Sequence, residues 1–200
     1  MKTAILTLAT IAALVIGAGT KSIAADKSAA KNDEVSTVLT DVTRISKIEV
    51  HGNVELFVSN DDNDQVKVYN RYYSESALVQ SRNGVLRISS YAPQKLVVWV
   101  KASDLRAITA YDNAEVKSVG RFSQIDLDVT LHNNASANLN LDAFSAKVTV
   151  ADRAKANLSG TTQELTLNRD VTSSVNKYSL VAANESDSAN IPAGDDMVTL

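Results

Sequence analysis

Two histidines, His51 and His132, are the side chains of this 200-residue chain that ordinarily titrate near neutrality. His51 falls in a His-Gly-Asn turn and His132 on a strand, with no His-x-x-x-His or carboxylate-flanked spacing. Neither a metal site nor a general base is therefore expected from them. Asp61-Asp62-Asn63-Asp64 has the composition of a calcium loop but lacks its central glycine and distal glutamate, so a solvated turn is expected. Asp126 and Asp128 would place two carboxylates about 7 Å apart on one strand face, a separation glycosidases use, yet no cleft is implied around them. No Gly-x-Ser-x-Gly, P-loop or dinucleotide fingerprint occurs, and cysteine is absent. Trp99 and the tyrosines could stack on sugars. Trp99 stands in the most apolar stretch, Leu96 to Val100, so it is expected in the core. No catalytic residue, cofactor or metal is expected.

The remaining polar chemistry repeats. Five ungapped units read Ile108–Ala114, Val129–Ala135, Val148–Ala154, Leu165–Val171 and Val181–Asp187, with last positions 21, 19, 17 and 16 residues apart. Each unit is a strand followed by a polar turn. Stacking them would line up Asp112, Asn113, Asn133, Asn134, Asp152, Arg153, Arg169 and Asp170, followed by Glu185-Ser186, along one edge. Such a row offers amide, acid and guanidinium groups at the spacing of neighbouring strands and could follow a repeating polar ligand such as a glycan. Solvated turns that only keep the edge soluble would look the same.

Strands must position that edge. Within each unit Ile108/Ala110, Val129/Leu131, Val148/Val150, Leu165/Leu167 and Val181/Ala183 alternate with Thr109, Thr130, Thr149, Thr166 and Ala182. Period-two alternation sends the pairs inward and the threonines outward, as a ladder with rungs about 4.8 Å apart. Leu139, Leu158, Val175 and Ile191 recur four residues past each turn and add a second inner segment. Earlier, Ile45 to Val68 alternates in short runs, with turns at His51-Gly52-Asn53 and Asp61–Asp64. Asn83-Gly84, between Ala77–Arg82 and Val85–Ser90, is a type I′ hairpin signal. The expected fold is all-β: a right-handed β-helix-like solenoid of short strands with a hairpin-containing N-terminal portion. An antiparallel meander also alternates, but it would not repeat one phase and one outward residue type.

Composition bounds the partners. Ile5 to Gly19 is apolar after Met1-Lys2, and Ser22-Ile23-Ala24 fits a signal-peptidase site, with Ala25 as second choice for cleavage. The organisation expected is a signal peptide at 1–24, a polar linker at 25–43 and one domain at 44–200. The full chain is at −3; removing Lys2 and Lys21 leaves 18 bases against 23 acids, or −5. That balance and the scarcity of aromatics argue against nucleic acid and anionic lipid as partners. The mature chain is expected to be exported, to periplasm or cell surface, and not membrane-embedded.

Three blocks carry a family resemblance. They are Ile45-Ser46-Lys47-Ile48-Glu49-Val50-His51-Gly52-Asn53-Val54-Glu55-Leu56, then Val66-Lys67-Val68, then Asn83-Gly84-Val85-Leu86-Arg87-Ile88. Leu105-Arg106-Ala107-Ile108 leads into the repeats in the same way. From Val42 onward the chain resembles the bacterial exported family of putative auto-transporter adhesins with a head GIN domain. The resemblance implies a β-helix-like stack and a non-enzymatic envelope or surface module, adhesive or scaffolding. Its expected partner is a surface glycan or another envelope protein. A carbohydrate-active enzyme or glycan-binding protein on a small β-helix is the alternative. The family places Ser-Gly-Ser at its turns. Asn and Asp substitute well for glycine there, whereas Arg153 and Ser186 at the middle position imply either turns built differently or later repeats that align less cleanly.

Overall fold

The computed structural model describes residues 36–39, 42, 44–69 and 77–190. The expected signal segment, the first part of the expected linker and Ile191 lie outside the described residues. Among the described residues every regular element is a strand: β1 Ser36–Leu39, β2 Lys47–Gly52, β3 Val54–Asn60, β4 Gln65–Tyr69, β5 Ala77–Arg82, β6 Val85–Ser90, β7 Leu96–Ala102, β8 Ala107–Ala110, β9 Glu115–Ser118, β10 Phe122–Leu131, β11 Ser136–Val150, β12 Lys155–Asp170 and β13 Ser174–Asn190. The protein is all-β. Within the stretch read as linker, β1 adds an antiparallel edge to β4.

The strands make one sheet in the order β1-β4-β7-β3-β9-β11-β10-β8-β2-β6-β5, with β12 on β11 and β13 on β12. β11 joins two flanks. Ser136–Asn138 pair with β9, and Leu141–Val150 with β10. Both flanks turn their apolar residues into one core that includes Leu56, Val98, Val129, Leu139 and Val148. β7 is an interior strand between β3 and β4, as its apolar run implies.

The repeats stack in parallel, and the first three units fall in the expected phase. Ile108, Val129 and Val148 are register partners, as are Thr109, Thr130 and Thr149. The fourth unit is shifted by two residues from the expected alignment. Val148 faces Leu167 rather than Leu165, so Asn168 continues the outward threonine row and Thr166 sits opposite Lys147. Alternation is unchanged by a shift of two, so Leu165 and Leu167 are both buried in either alignment. The fifth unit fails. A register irregularity between Asn157 and Ser159 gives β13 one extra residue, which moves Val181 opposite Thr161 and leaves it 67% exposed. Ala182 packs against the core in its place. Val175 faces Ala156, so it does not share the row of Leu139 and Leu158.

Local chemistry fixes the corners. Asn83 and Gly84 have φ of 52° and 78°, and β5 and β6 pair antiparallel with the expected bounds. Gly160, at φ 99°, passes so close to β11 that a Cβ would stand 2.0 Å from the Leu141 carbonyl oxygen. Asp61–Asp64 is a turn held by its own carboxylates: Asp61 binds Lys101 at 2.7 Å, and Asp64 accepts the Ser103 N–H at 3.0 Å and the Ile45 N–H.

Candidate functional site

Seven of the eight ridge residues come together on one edge, Asp170 through its side chain. The turns 111–114, 132–135 and 151–154 are each closed by an N–H of Ala114, Ala135 or Ala154 donating three residues back, at 3.0–3.2 Å. Asp112, Asn133 and Asp152 hold φ of 61°, 60° and 56°. Positive φ at the first central residue only is the pattern of a type II′ turn. The left-handed position is therefore the first polar residue of each turn, not the middle one. That corrects the expectation for Arg153, whose place needs no glycine.

The left-handed residues brace one another. Gly52 N–H donates to Asp112 Oδ2 at 3.1 Å, Asp112 N–H to Asn133 Oδ1 at 3.3 Å, Asn133 N–H to Asp152 Oδ2 at 2.8 Å, and Asp152 N–H to Asp170 Oδ2 at 2.9 Å. A residue that leaves strand geometry loses its ladder acceptor, and the side chain of the next rung supplies one. Beside this column Asn134 donates to Asn113 Oδ1 at 3.4 Å, and Arg153 Nε donates to Asn134 Oδ1 at 3.1 Å. Asp112 also accepts the Tyr91 hydroxyl at 3.0 Å, which raises the tyrosine above its ordinary value of 10.0.

The structure brings the two histidines together. Tyr111 lies between them, its ring 4.4 Å from His51 and 4.9 Å from His132, with planes within 5° and 7°. Each of the three directly precedes a left-handed residue, and that shared offset was the signal available in the sequence. No group of three or more His, Cys, Asp or Glu among the described residues could hold a metal ion.

Arg169 is placed elsewhere. Its register partner is Val150 and its Nε binds Asp187 Oδ1 at 2.9 Å, holding that carboxyl below its ordinary 3.8. Glu185 and Ser186 lie on β13 opposite Leu165 and Thr166, away from the turns. With Lys177, which binds Glu185 and reaches Asp187 at 3.3 Å, they close the open end of the core with charge. A terminal repeat with a polar outer face is what a stacked fold requires.

Trp99 is not in the core. It is 38% exposed on the outer face of β7, stacked on Phe57 at 4.7 Å. Asp126 lines a groove of about 370 Å³ with Asp104, Arg106 and Gln124, whereas Asp128 stands 3.6 Å from Lys147 and outside that groove. Asp104 is itself tied to Arg106 at 2.8 Å.

Residues 44–191 match the family model described as putative auto-transporter adhesin, head GIN domain. A putative adhesin from Bacteroides fragilis NCTC 9343 is similar in structure, with a TM-score of 0.66 and 16% identity over 78% of this chain and 76% of that one. A putative adhesin from Parabacteroides distasonis ATCC 8503 aligns with a TM-score of 0.60 and 15% identity, over 78% of each chain. A putative lipid binding protein from the same strain gives 0.56 and 10%, again over 78% of each chain. No curated protein matches the sequence.

Proposed function

The chain belongs to the putative auto-transporter adhesin, head GIN domain family, and on that premise we infer that it is a non-enzymatic, exported module of the cell envelope or surface. Its role in this reading is adhesion or scaffolding. The observation that carries it is the braced edge: Asp112, Asn133, Asp152 and Asp170 commit their side-chain oxygens to neighbouring rungs. Polar groups bound to one another in this way stiffen a surface and leave no nucleophile and base facing a common substrate position. Asn113, Asn134 and Arg153 keep further donors outside that column for contact with a glycan or another envelope protein.

Within this reading the parallel stack is a right-handed β-helix. Parallel strands joined by crossovers are right-handed in nearly all sheets, and each rung here reaches the next through such a crossover. Residues 1–24 direct export, to the periplasm or the outer surface. The carbohydrate-active alternative would use Asp126, whose groove offers as a second carboxylate only Asp104, already ion-paired to Arg106.

Fractionation and protease shaving of cells making the full chain test location, and beads coated with purified residues 25–200 test adhesion to those cells. A cytoplasmic protein retaining residues 1–24, together with beads that bind no better than albumin-coated ones, overturns the reading.

A further inference from the structure

One row of outward side chains crosses a whole flank of the sheet. Lys67 is opposite Trp99, Trp99 opposite Phe57, and Phe57 opposite Lys117. Lys117 then faces Asn138, which faces Asn157, which faces Asn176. Six steps of one strand spacing give a track about 29 Å long. The three asparagines fall 19 residues apart, inside Ala-Asn-Leu, Ala-Asn-Leu and Val-Asn-Lys, and that recurrence is visible in the sequence.

The two ends of the row differ in chemistry. At one end, indole and phenyl rings stack at 4.7 Å, Tyr69 meets the indole edge at 6.4 Å, and Lys117 Nζ lies 5.7 Å from the Phe57 centroid. At the other, Asn138, Asn157 and Asn176 are all exposed. Asn176 Oδ1 accepts the Tyr178 N–H at 3.3 Å, while Asn138 and Asn157 have no side-chain hydrogen bond among the described residues. A row kept only for stability would pair its amides, as the turn edge does, and would bury its largest aromatic pair.

Charge narrows the partner. The row and the rows flanking it carry Lys67, Lys101, Lys117 and Lys155 against Glu55 and Glu115, with Asp61 seated on Lys101, four positive against three negative, on a chain whose net charge is −3. Lys117 is held by Glu55 and Glu115 and Lys101 by Asp61, while Lys67 and Lys155 have no ion-pair partner among the described residues. This flank is locally cationic on an acidic protein.

We propose that this row binds a linear acidic polysaccharide lying across the strands. Sugar C–H faces meet the rings, hydroxyls meet amides that each donate and accept, and uronate carboxylates meet Lys67 and Lys155. A polymer suits the row because the amides recur at one fixed step. The proposal rests on the adhesive reading and gives it a ligand class and a site.

Trp99 is the sole tryptophan of the chain, so its emission reports binding at the row directly. Polygalacturonate and alginate should shift that emission, and neutral dextran should not. The variant N138A/N157A/N176A keeps the reporter and should bind about tenfold or more weakly with an unchanged melting temperature. W99A should lose retardation in a polygalacturonate gel. No shift with either acidic polymer, an equal shift with dextran, or unaltered affinity of the triple variant overturns the proposal. W99A-coated beads that still adhere to cells, while the gel shows no binding by any form, would remove the ligand class and leave adhesion standing. Loss of adhesion by wild-type beads with polygalacturonate binding intact would do the reverse.

Discussion

Asp152 Oδ2 lies 2.8 Å from the backbone nitrogen of Asn133, one rung away, and both residues hold left-handed backbone. Each therefore relieves a difficulty that its neighbour creates. A turn residue at positive φ is destabilising unless it is Gly, Asn or Asp, and its stranded N–H must find an acceptor. Asn and Asp answer both needs with one short side chain. Alanine at 133 loses the acceptor for Asp112 N–H and takes on a strained backbone, together about 2 kcal/mol. Glycine restores the backbone and should recover roughly half of that loss. Urea denaturation of the N133A and N133G variants checks it, and equal losses would mean the ladder bonds alone matter.

Inner and outer positions of one strand should respond in opposite ways to the same carboxylate. Val148 is fully buried between Val129 and Leu167, so V148D places an unpaired charge in the core and costs several kcal/mol, on the order of the whole stability of a domain. T149D points outward and should change stability by no more than about 0.5 kcal/mol. Thermal melts of the two variants decide whether the faces are assigned correctly.

Much of this was legible in the sequence because alternation reports burial directly. The class of fold, the I′ hairpin at Asn83-Gly84 and the stacking of Thr109, Thr130 and Thr149 follow from it. Alternation reports register only modulo two, so Leu165 stood in for Leu167. Nor can it see the extra residue of β13 that reverses the phase at Val181. Trp99 was misplaced because Val-Val-Trp-Val is apolar at every position, and an apolar residue on an outer face leaves no break in the pattern. The ridge was legible for six residues whose turns share one length, and for Asp170, whose side chain reaches the same column. Arg169 escaped because its turn is closed by Ser173 donating to Asp170, with Thr172 Oγ1 taking up the Asp152 carbonyl instead.

Gly160 should tolerate no side chain. Its φ of 99° lies where L-residues are strained, and an added Cβ would meet backbone, the Leu141 carbonyl oxygen at 2.0 Å. Backbone cannot yield as a flexible side chain would. G160A should lower the midpoint of urea unfolding by an amount equivalent to at least about 2 kcal/mol, whereas G120A, with open space around its Cβ position, should lose less. Similar midpoints for the two would show that β11 and β12 move apart at that corner.

Acid sensitivity should trace to paired carboxylates on the same flank as the aromatic row. The Lys95 ammonium, 2.5 Å away, chiefly holds the Glu115 carboxyl below its ordinary 4.5, and Lys117 adds to it. A carboxylate whose folded value is depressed contributes stability that is complete above the unfolded value and is lost as pH falls through the folded one. Lys117 behaves oppositely: Glu55 chiefly raises it above 10.5, so its share persists through neutrality and is lost only in strong alkali. The melting temperature of E115Q should therefore lie below that of the wild type near pH 7, and the two should converge as the pH falls below 4.5 through the folded value. The Glu115 and Lys95 side chains are 32% and 37% exposed, so the gap at neutrality should be small and should shrink further in about 1 M salt. A gap that stays constant from about pH 3 to pH 8, and is indifferent to salt, would mean that Glu115 acts by packing rather than by charge.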